Sequence, residues 1–488
     1  MIGLRTRLLR PGLLRAAIVV LLVAALIVSG YALLVTTRPA PIRIGAVFPI
    51  SGNAATLAGP ELAGVQIAVD LINADGGIDG RPIELEVRDL RSRAESDGVM
   101  RELKDQGIEI VIGAYSSDLS IAASEAADRA GLLYWEAGAV ADRLTGRGLP
   151  MVFRVGTNGR TLGANSANFA AEELAGRLGK PISALRVAIA VAEDDYARAV
   201  ADAAEETAVA RGMPVVIRRG YNLALPDWPS VMADLAAARA DVIILVSHIP
   251  DGIAFRQAML AAGLRVGALI GSTMAECDPD FAGVLGPDAI GIFASDRPTA
   301  GFKPSALDAG AAAAYARFAP AWQAAAREAG GEGDAPGDPY DEGNDEGNGG
   351  GYGDRYGDRY GESSYTIFGP DQDATAEESE EALAGFSAAW ALFRHVLPEA
   401  AGDAAASRDG RSGVLDAASV ARAARGLDLP NGSLPNGAGL RFSAEPERLG
   451  QNERAAAVIW QWTAERTYEF VWPPEYQTGD IGFVPLER

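Results

Sequence analysis

The stretch Ala63–Asp89, AGVQIAVDLINADGGIDGRPIELEVRD, decides how the rest of the chain is read. With Glu61 and Leu62 before it, its first half sets Leu62, Val65, Ala68, Val69 and Ile72 at helical spacing, one apolar stripe. The segment Ile83–Leu90, IELEVRDL, alternates instead, as a strand with one buried face does. Upstream, Ile42–Ile50 (IRIGAVFPI) is a buried-strand run. Downstream come a short helix, IEIVIGA (Ile108–Ala114), a helix to Ala130, and LLYWEA (Leu132–Ala137). Strand and helix alternating over short Gly-bearing connections predict a parallel sheet with helices on both faces.

The alternation restarts at MVFRVG (Met151–Gly156). It continues through RVAIAVAE (Arg186–Glu193), MPVVIRRG (Met213–Gly220), DVIILVSH (Asp241–His248) and GALIGS (Gly267–Ser272), each followed by an Ala-rich helix. Two successive series predict two similar lobes, with crossovers at Arg154–Gly156 and near Ala289–Asp296. A helix from about Glu377 to Leu397, another over Asp416–Leu427 and a late strand in Ala455–Trp462 follow. In the tail YEFVWPPEYQ, Pro473 and Pro474 oppose a regular element.

Composition narrows the function. The chain has 488 residues, 48% of them hydrophobic, enough for two or three domains and a sizeable core. This excludes a collagen, a polytopic membrane protein and a fully disordered chain. With 43 basic and 65 acidic side chains the net charge is −22, which argues against nucleic acid as a partner. The single Cys277 rules out an intrachain disulfide and a Cys-based zinc site, and His248 and His395 are too few for a multi-His metal centre. Neither a phosphate-binding loop nor a serine nucleophile elbow is present, and no cofactor is implied.

The N-terminus sets the location. Arg5, Arg7, Arg10 and Arg15 lie in a basic segment, residues 1–15, expected to stay in the cytoplasm. The uncharged run Ala16–Thr37 is long enough to cross ~30 Å of hydrocarbon as one transmembrane helix. An uncleaved anchor fits this run better than a cleaved signal peptide, whose apolar core is shorter. Either reading makes the rest of the chain extracytoplasmic.

Within residues 331–375 lies a Gly/Asp/Glu-rich insertion carrying YGDR in tandem at Tyr352 and Tyr356. It lacks apolar periodicity and reads as a disordered surface loop, without the spacing of a calcium-binding loop. From Glu332 to Glu381 there are 16 acidic and 2 basic residues, so most of the net charge belongs to this insertion and its flank rather than to a ligand cleft.

In a doubly wound sheet, ligands bind outside the carboxyl ends of the strands. The residues there are PISGNAATLAG (Pro49–Gly59), GAYSSDLS (Gly113–Ser120), WEAGAVAD (Trp135–Asp142), AEDDYARA (Ala192–Ala199), VSHIPDG (Val246–Gly252) and GSTMAECD (Gly271–Asp278). Ser116 or Ser117 would cap a helix, and hydroxyl and N–H groups there suit a carboxylate. Glu136, ending a buried strand, calls for an Arg or a cationic ligand group as partner. Asp194 and Asp195 read as a solvated turn.

These segments resemble the branched-chain amino-acid (leucine/isoleucine/valine) substrate-binding proteins of ABC importers, which have the type I periplasmic binding fold. IRIGAVFPISG, AGVQIAVDLINADGGIDGRPIELEVRD, GIEIVIGAYSS, LTGRG (Leu144–Gly148) and FRQAMLAAGL (Phe255–Leu264) carry the likeness, and NADGGIDGR is its most specific part. The resemblance implies an α/β fold of two Rossmann-like lobes joined by three crossovers. Residues 42–155 and 294–440 would form lobe 1, and residues 156–293 and 441–488 would form lobe 2. It further implies a non-enzymatic protein that closes on a small ligand and docks on an ABC permease, or a membrane-tethered sensing ectodomain. Ser117 matches the family's carboxylate-binding Ser, Tyr196 its second-lobe pocket Tyr, and Gly138 a ligand-contacting backbone position. Three positions depart from the pattern. Val140, or Ala139 if the loop shifts, stands for a Thr; Thr273 stands for the ammonium-binding Glu; Ser247 stands for a pocket aromatic. Either Glu136 or Glu276 supplies a counter-charge from a new position, or the ligand is an uncharged amide or an aromatic carboxylate. A hydrolase using Ser117 and His248 is the alternative from another class.

Overall fold

The computed structural model describes residues 39–52, 55–272, 279–299, 301–303, 306–331, 379–406, 415–465 and 467–486. The apolar run 16–37, the insertion from residue 332 onward, and Thr273, Glu276 and Cys277 lie outside the described residues. Among the described residues no helix is long and apolar enough to cross a membrane.

The first lobe is built on five parallel strands: β1 (Ile42–Phe48), β2 (Ile83–Asp89), β3 (Ile110–Gly113), β4 (Leu133–Glu136) and β5 (Val152–Arg154). Their order is β2-β1-β3-β4-β5. The connecting helices are α1 (Ala55–Ala74), α2 (Ser96–Asp105) and α3 (Ser117–Ala130). All four residues of β3 are buried because helices cover both faces, which is why IVIG carries no alternation. The segment Met151–Gly156 does not open the second series of strands. Its strand, β5, pairs with β4 at the edge of the first sheet.

The second lobe has β6 (Val187–Ala192), β7 (Val215–Tyr221), β8 (Val242–Val246), β9 (Ala268–Ser272), β10 (Phe293–Asp296), β11 (Val458–Ala464) and β12 (Thr467–Trp472), in the order β12-β11-β10-β9-β8-β6-β7. Its helices are α4 (Gly159–Phe169), α5 (Asp195–Ala210), α6 (Trp228–Ala238), α7 (Ile249–Ala262) and α8 (Pro279–Leu285). Strand β11 runs antiparallel to both β10 and β12. The tail therefore does hold a regular element, since Pro473 follows the last residue of β12 and the missing N–H falls outside the ladder.

Helices α9 (Ala309–Gly331), α10 (Glu380–Trp390) and α11 (Ala417–Gly426) return to the first lobe. Helix α10 lies directly on α1. A Cβ on Gly64 would fall 2.0 Å from the Ala382 carbonyl oxygen, and one on Gly385 would fall 2.0 Å from that of Glu61. Only glycine permits this backbone-to-backbone crossing.

The chain passes between the lobes three times: after β5, after β10 and before β11. Two passages are laced together at Arg154. Its N–H donates to the Gly450 carbonyl and its carbonyl accepts from Asn452 N–H, both at 2.9 Å. The Asn452 amide Nδ2 reaches the Val155 and Gly439 carbonyls, and Gln451 Nε2 that of Gly156.

Candidate functional site

The loops leaving the carboxyl ends of the two sheets meet. Arg143, after β4, stands 3.6 Å from Asp195 at the start of α5, and Val140 packs into the core of the second lobe. Both partners of the ion pair are more than half exposed, so it marks proximity and contributes little energy.

On the first-lobe side, Ser116 is the N-cap of α3, its Oγ accepting from Leu119 N–H. That leaves Ser117 as the first helical residue. Its Oγ accepts from Ala141 N–H at 3.1 Å and still has its own proton to donate. Helix start and the 137–141 loop are thereby joined at one hydroxyl.

That loop is organised from within. Glu136 is fully buried, and its Oε1 accepts from Gly138 N–H and Ala139 N–H, each at 2.9 Å, while Tyr134 Oη donates to Oε2. Burial pushes the Glu136 carboxyl up, against the pull of these donors. The partner expected of Glu136 was an Arg or a ligand cation; neutral donors satisfy it instead. The carbonyls of the same loop are engaged as well. Gly138 O accepts from Arg297, and Ala139 O and Ala141 O accept from Arg154. The N–H groups of Gly138 and Ala139 are thus committed inside the protein.

Arg154 is the fully buried node of this arrangement. Its guanidinium also donates to Thr145 Oγ1 and to Gln451 Oε1. Desolvation brings it down to about 10, opposed by Asp142 and Glu136, so it stays cationic at neutral pH.

On the second-lobe side, Asp194 is no solvated turn. It is the N-cap of α5, accepting from Ala197 N–H at 2.7 Å, and its Oδ2 lies 3.0 Å from His248 Nε2. The His248 ring packs 5.0 Å from that of Tyr196, centroid to centroid. Asp251 caps α7 through His248 N–H and accepts from Tyr221 Oη at 2.5 Å. Burial alone would lower the His248 pKa; the hydrogen bond to Asp194 and the charges of Asp251 and Asp194 outweigh it and raise it. Ser247 is fully buried at the end of β8, and its Oγ has no hydrogen-bond partner among the described residues.

The structure therefore gathers Ser117, Glu136, Gly138 and Ala139 in one cluster and Tyr196 and Ser247 with His248 in another. Thr273 lies outside the described residues. Ser117 and His248 do not bond each other: one holds Ala141, the other Asp194. No group of three or more metal-ligating side chains occurs among the described residues.

Sequence reasoning passed over Arg154, Arg297, Glu380 and Glu61. For Glu61 a signal was present. It precedes Val65, Ala68 and Ile72 on the same helical stripe, so a carboxylate stood on the buried face of α1. Glu380, counted with the charge of the insertion and its flank, is buried and bonded to Arg297 at 2.6 Å.

Two doubly wound lobes joined by three passages, with polar side chains at the meeting strand ends, define the architecture of a two-lobed cleft protein. The profile of the periplasmic binding protein family matches residues 41–336, and the chain belongs to that family. It is 34% identical over 263 residues to Leu/Ile/Val-binding protein homolog 8 of Brucella abortus, a match covering 54% of this chain and 65% of that relative. Among solved structures it is similar to the branched-chain amino acid transporter substrate-binding protein of Streptococcus pneumoniae in complex with isoleucine. That likeness has a TM-score of 0.59 and 18% identity, covering 89% of this chain and all of the other. It is also similar to an R. palustris ABC transporter solute-binding protein in complex with benzoate, with a TM-score of 0.57 and 15% identity, covering 92% of this chain and 100% of that one.

Proposed function

We propose that this chain is an extracytoplasmic solute-binding protein. It captures an amino-acid-like, carboxylate or amide ligand between its lobes and delivers it to an ABC permease. Residues 16–37 tether it to the membrane. The observation that carries this reading is the position of Ser117 at the N-terminus of α3, at the carboxyl end of β3, where an unspent O–H proton and helix N–H groups suit an anionic ligand end. Tyr196, with His248 behind it, supplies the second-lobe wall. The names of the relatives, for leucine, isoleucine and valine, and the benzoate complex support a small carboxylate.

A thermal-shift screen of amino acids, amides and small aromatic acids tests this. A ligand at a hundred times its Kd stabilises a folded protein by about 2.7 kcal/mol. At least one compound should raise Tm, and Ser117→Ala should weaken its binding about tenfold, the worth of about 1.4 kcal/mol for a hydrogen bond to a charged group. Unchanged affinity in calorimetry removes Ser117 from the site. Hydrolysis of esters or amides by the protein, lost in Ser117→Ala, overturns the non-enzymatic reading.

A further inference from the structure

We propose that the first lobe carries a carboxylate subsite, built by Glu61, Glu380 and Glu381, which takes an ammonium group of the cleft ligand. The proposal rests on the reading of the protein as a small-molecule binder and names the chemistry that its cleft selects.

Glu61, on α1, is fully buried, and neither of its carboxylate oxygens has a hydrogen-bond partner among the described residues. A Cβ on Gly138 would fall 2.0 Å from its Oε2, so the carboxylate lies against the backbone of the loop leaving β4. That loop is where ligands sit in a doubly wound lobe. Arg297 fastens the same place from the passage after β10, donating to Gly138 O at 3.1 Å and to Glu380 Oε1 at 2.6 Å. The second oxygen of Glu380 is buried and also unpartnered. Glu381, the next residue of α10, is partly exposed and its charge acts on Glu61 and Glu380.

The charges do not balance. Arg297 is one cation among Glu61, Glu380, Glu381 and Asp296. An unpaired buried carboxylate is costly, and a cation entering beside it offsets that cost. Until one arrives, protons serve. Burial pushes Glu61 well above the usual carboxyl range, and so do the charges of Glu136 on β4 and Glu381 on α10; Arg297 opposes them. Burial and then the charge of Asp296 push Glu380 up, again with Arg297 opposing. Tyr115, after β3, faces the same carboxylates and is itself pushed up, first by burial.

The test uses the full-length chain and three probes with one carbon skeleton: L-leucine, isoamylamine, which lacks the carboxylate, and 4-methylpentanoate, which lacks the ammonium. The expected result is that leucine and isoamylamine bind in calorimetry and lose about 10–100-fold in affinity in Glu61→Gln, as for a charge-assisted hydrogen bond. Titrations in two buffers of different ionisation enthalpy should show protons released on binding, and affinity should fall as pH is lowered. Glu61→Gln should also raise the Tm of the ligand-free protein at about pH 8 and leave it nearly unchanged at about pH 5. A carboxyl raised in the folded state contributes stability below its unfolded pKa that is lost as pH rises toward the folded value. Glu381→Gln, at the partly exposed edge, gives a second arm that leaves the α1–α10 packing in place.

If 4-methylpentanoate binds as tightly as leucine and both variants bind it unchanged, the subsite is overturned while the cleft reading stands. Sodium or potassium chloride reproducing the stabilisation assigns the carboxylates to an inorganic ion and also overturns it. If no amine, amino acid, amide or carboxylate binds the wild-type chain at all, the small-molecule reading falls and the subsite with it.

Discussion

Replacing Arg154 with methionine should destabilise the protein by about 3–5 kcal/mol, the cost of removing one partner from a buried charged network. The side chain fits the space; the hydrogen bonds do not survive. Four acceptors lose their donors: Ala139 O, Ala141 O, Thr145 Oγ1 and Gln451 Oε1. Each buried acceptor left unpaired costs about 1–3 kcal/mol, and Gln451 can relieve part of this by rotating. The damage is not confined to one lobe. Its guanidinium holds the 137–141 loop, whose Ala141 N–H fixes Ser117, and it also ties the passage after β5 to the one before β11 through Gln451. Urea unfolding should therefore show a lower midpoint, and ligand affinity should fall in the protein that remains folded. Arg154→Lys should recover little of either, because a single ammonium cannot span the fork of acceptors that the guanidinium reaches. A midpoint within about 1 kcal/mol of wild type, small against the range for removing a buried partner, would show that the hinge does not depend on this node.

Adding a single methyl group at Gly64 or Gly385 should have the next largest effect. In both cases the new Cβ meets a carbonyl oxygen of the opposing helix at 2.0 Å, far inside contact, so α1 and α10 must separate. Overpacking of this kind costs about 1–3 kcal/mol, to be read from denaturant midpoints. The two substitutions share one crossing, so the double variant should cost less than the sum of the singles: once the helices have moved apart, both methyl groups have room. Strict additivity would mean that the helices do not move as a pair. Because α1 also carries Glu61 and α10 carries Glu380 and Glu381, a separated pair should weaken ammonium binding along with stability.

Periodicity was enough to read the scaffold. The stripe Leu62–Ile72 and the alternation of Ile83–Leu90 fix α1 and β2, and short spacings then leave few arrangements open. Local patterns failed where the answer was set by distant contacts. The Arg297 side chain meets a carbonyl 159 residues earlier in the chain, and nothing around RPT signals that. Glu136 escaped for a different reason: its partners are N–H groups only two and three residues ahead, supplied by a turn that periodicity does not describe. Glu380 was masked by its neighbours: it lies in an acidic run that ends at Glu381, yet it is also in the first turn of a helix whose residues, Glu381 apart, are all buried. The charge of −22 is therefore not wholly a property of the insertion. A small part of it, Glu61 and Glu380, is buried beside the strand ends where a ligand would bind.

Small-angle X-ray scattering of the full chain, with and without the compound that stabilises it most, tests the central claim directly. Capture between two lobes joined by three passages requires hinge closure. The radius of gyration should fall on binding, and Ser117→Ala should need correspondingly more compound to reach the compact form. Saturating binding with no change in the scattering curve would contradict capture in the cleft and would place the ligand on one lobe alone.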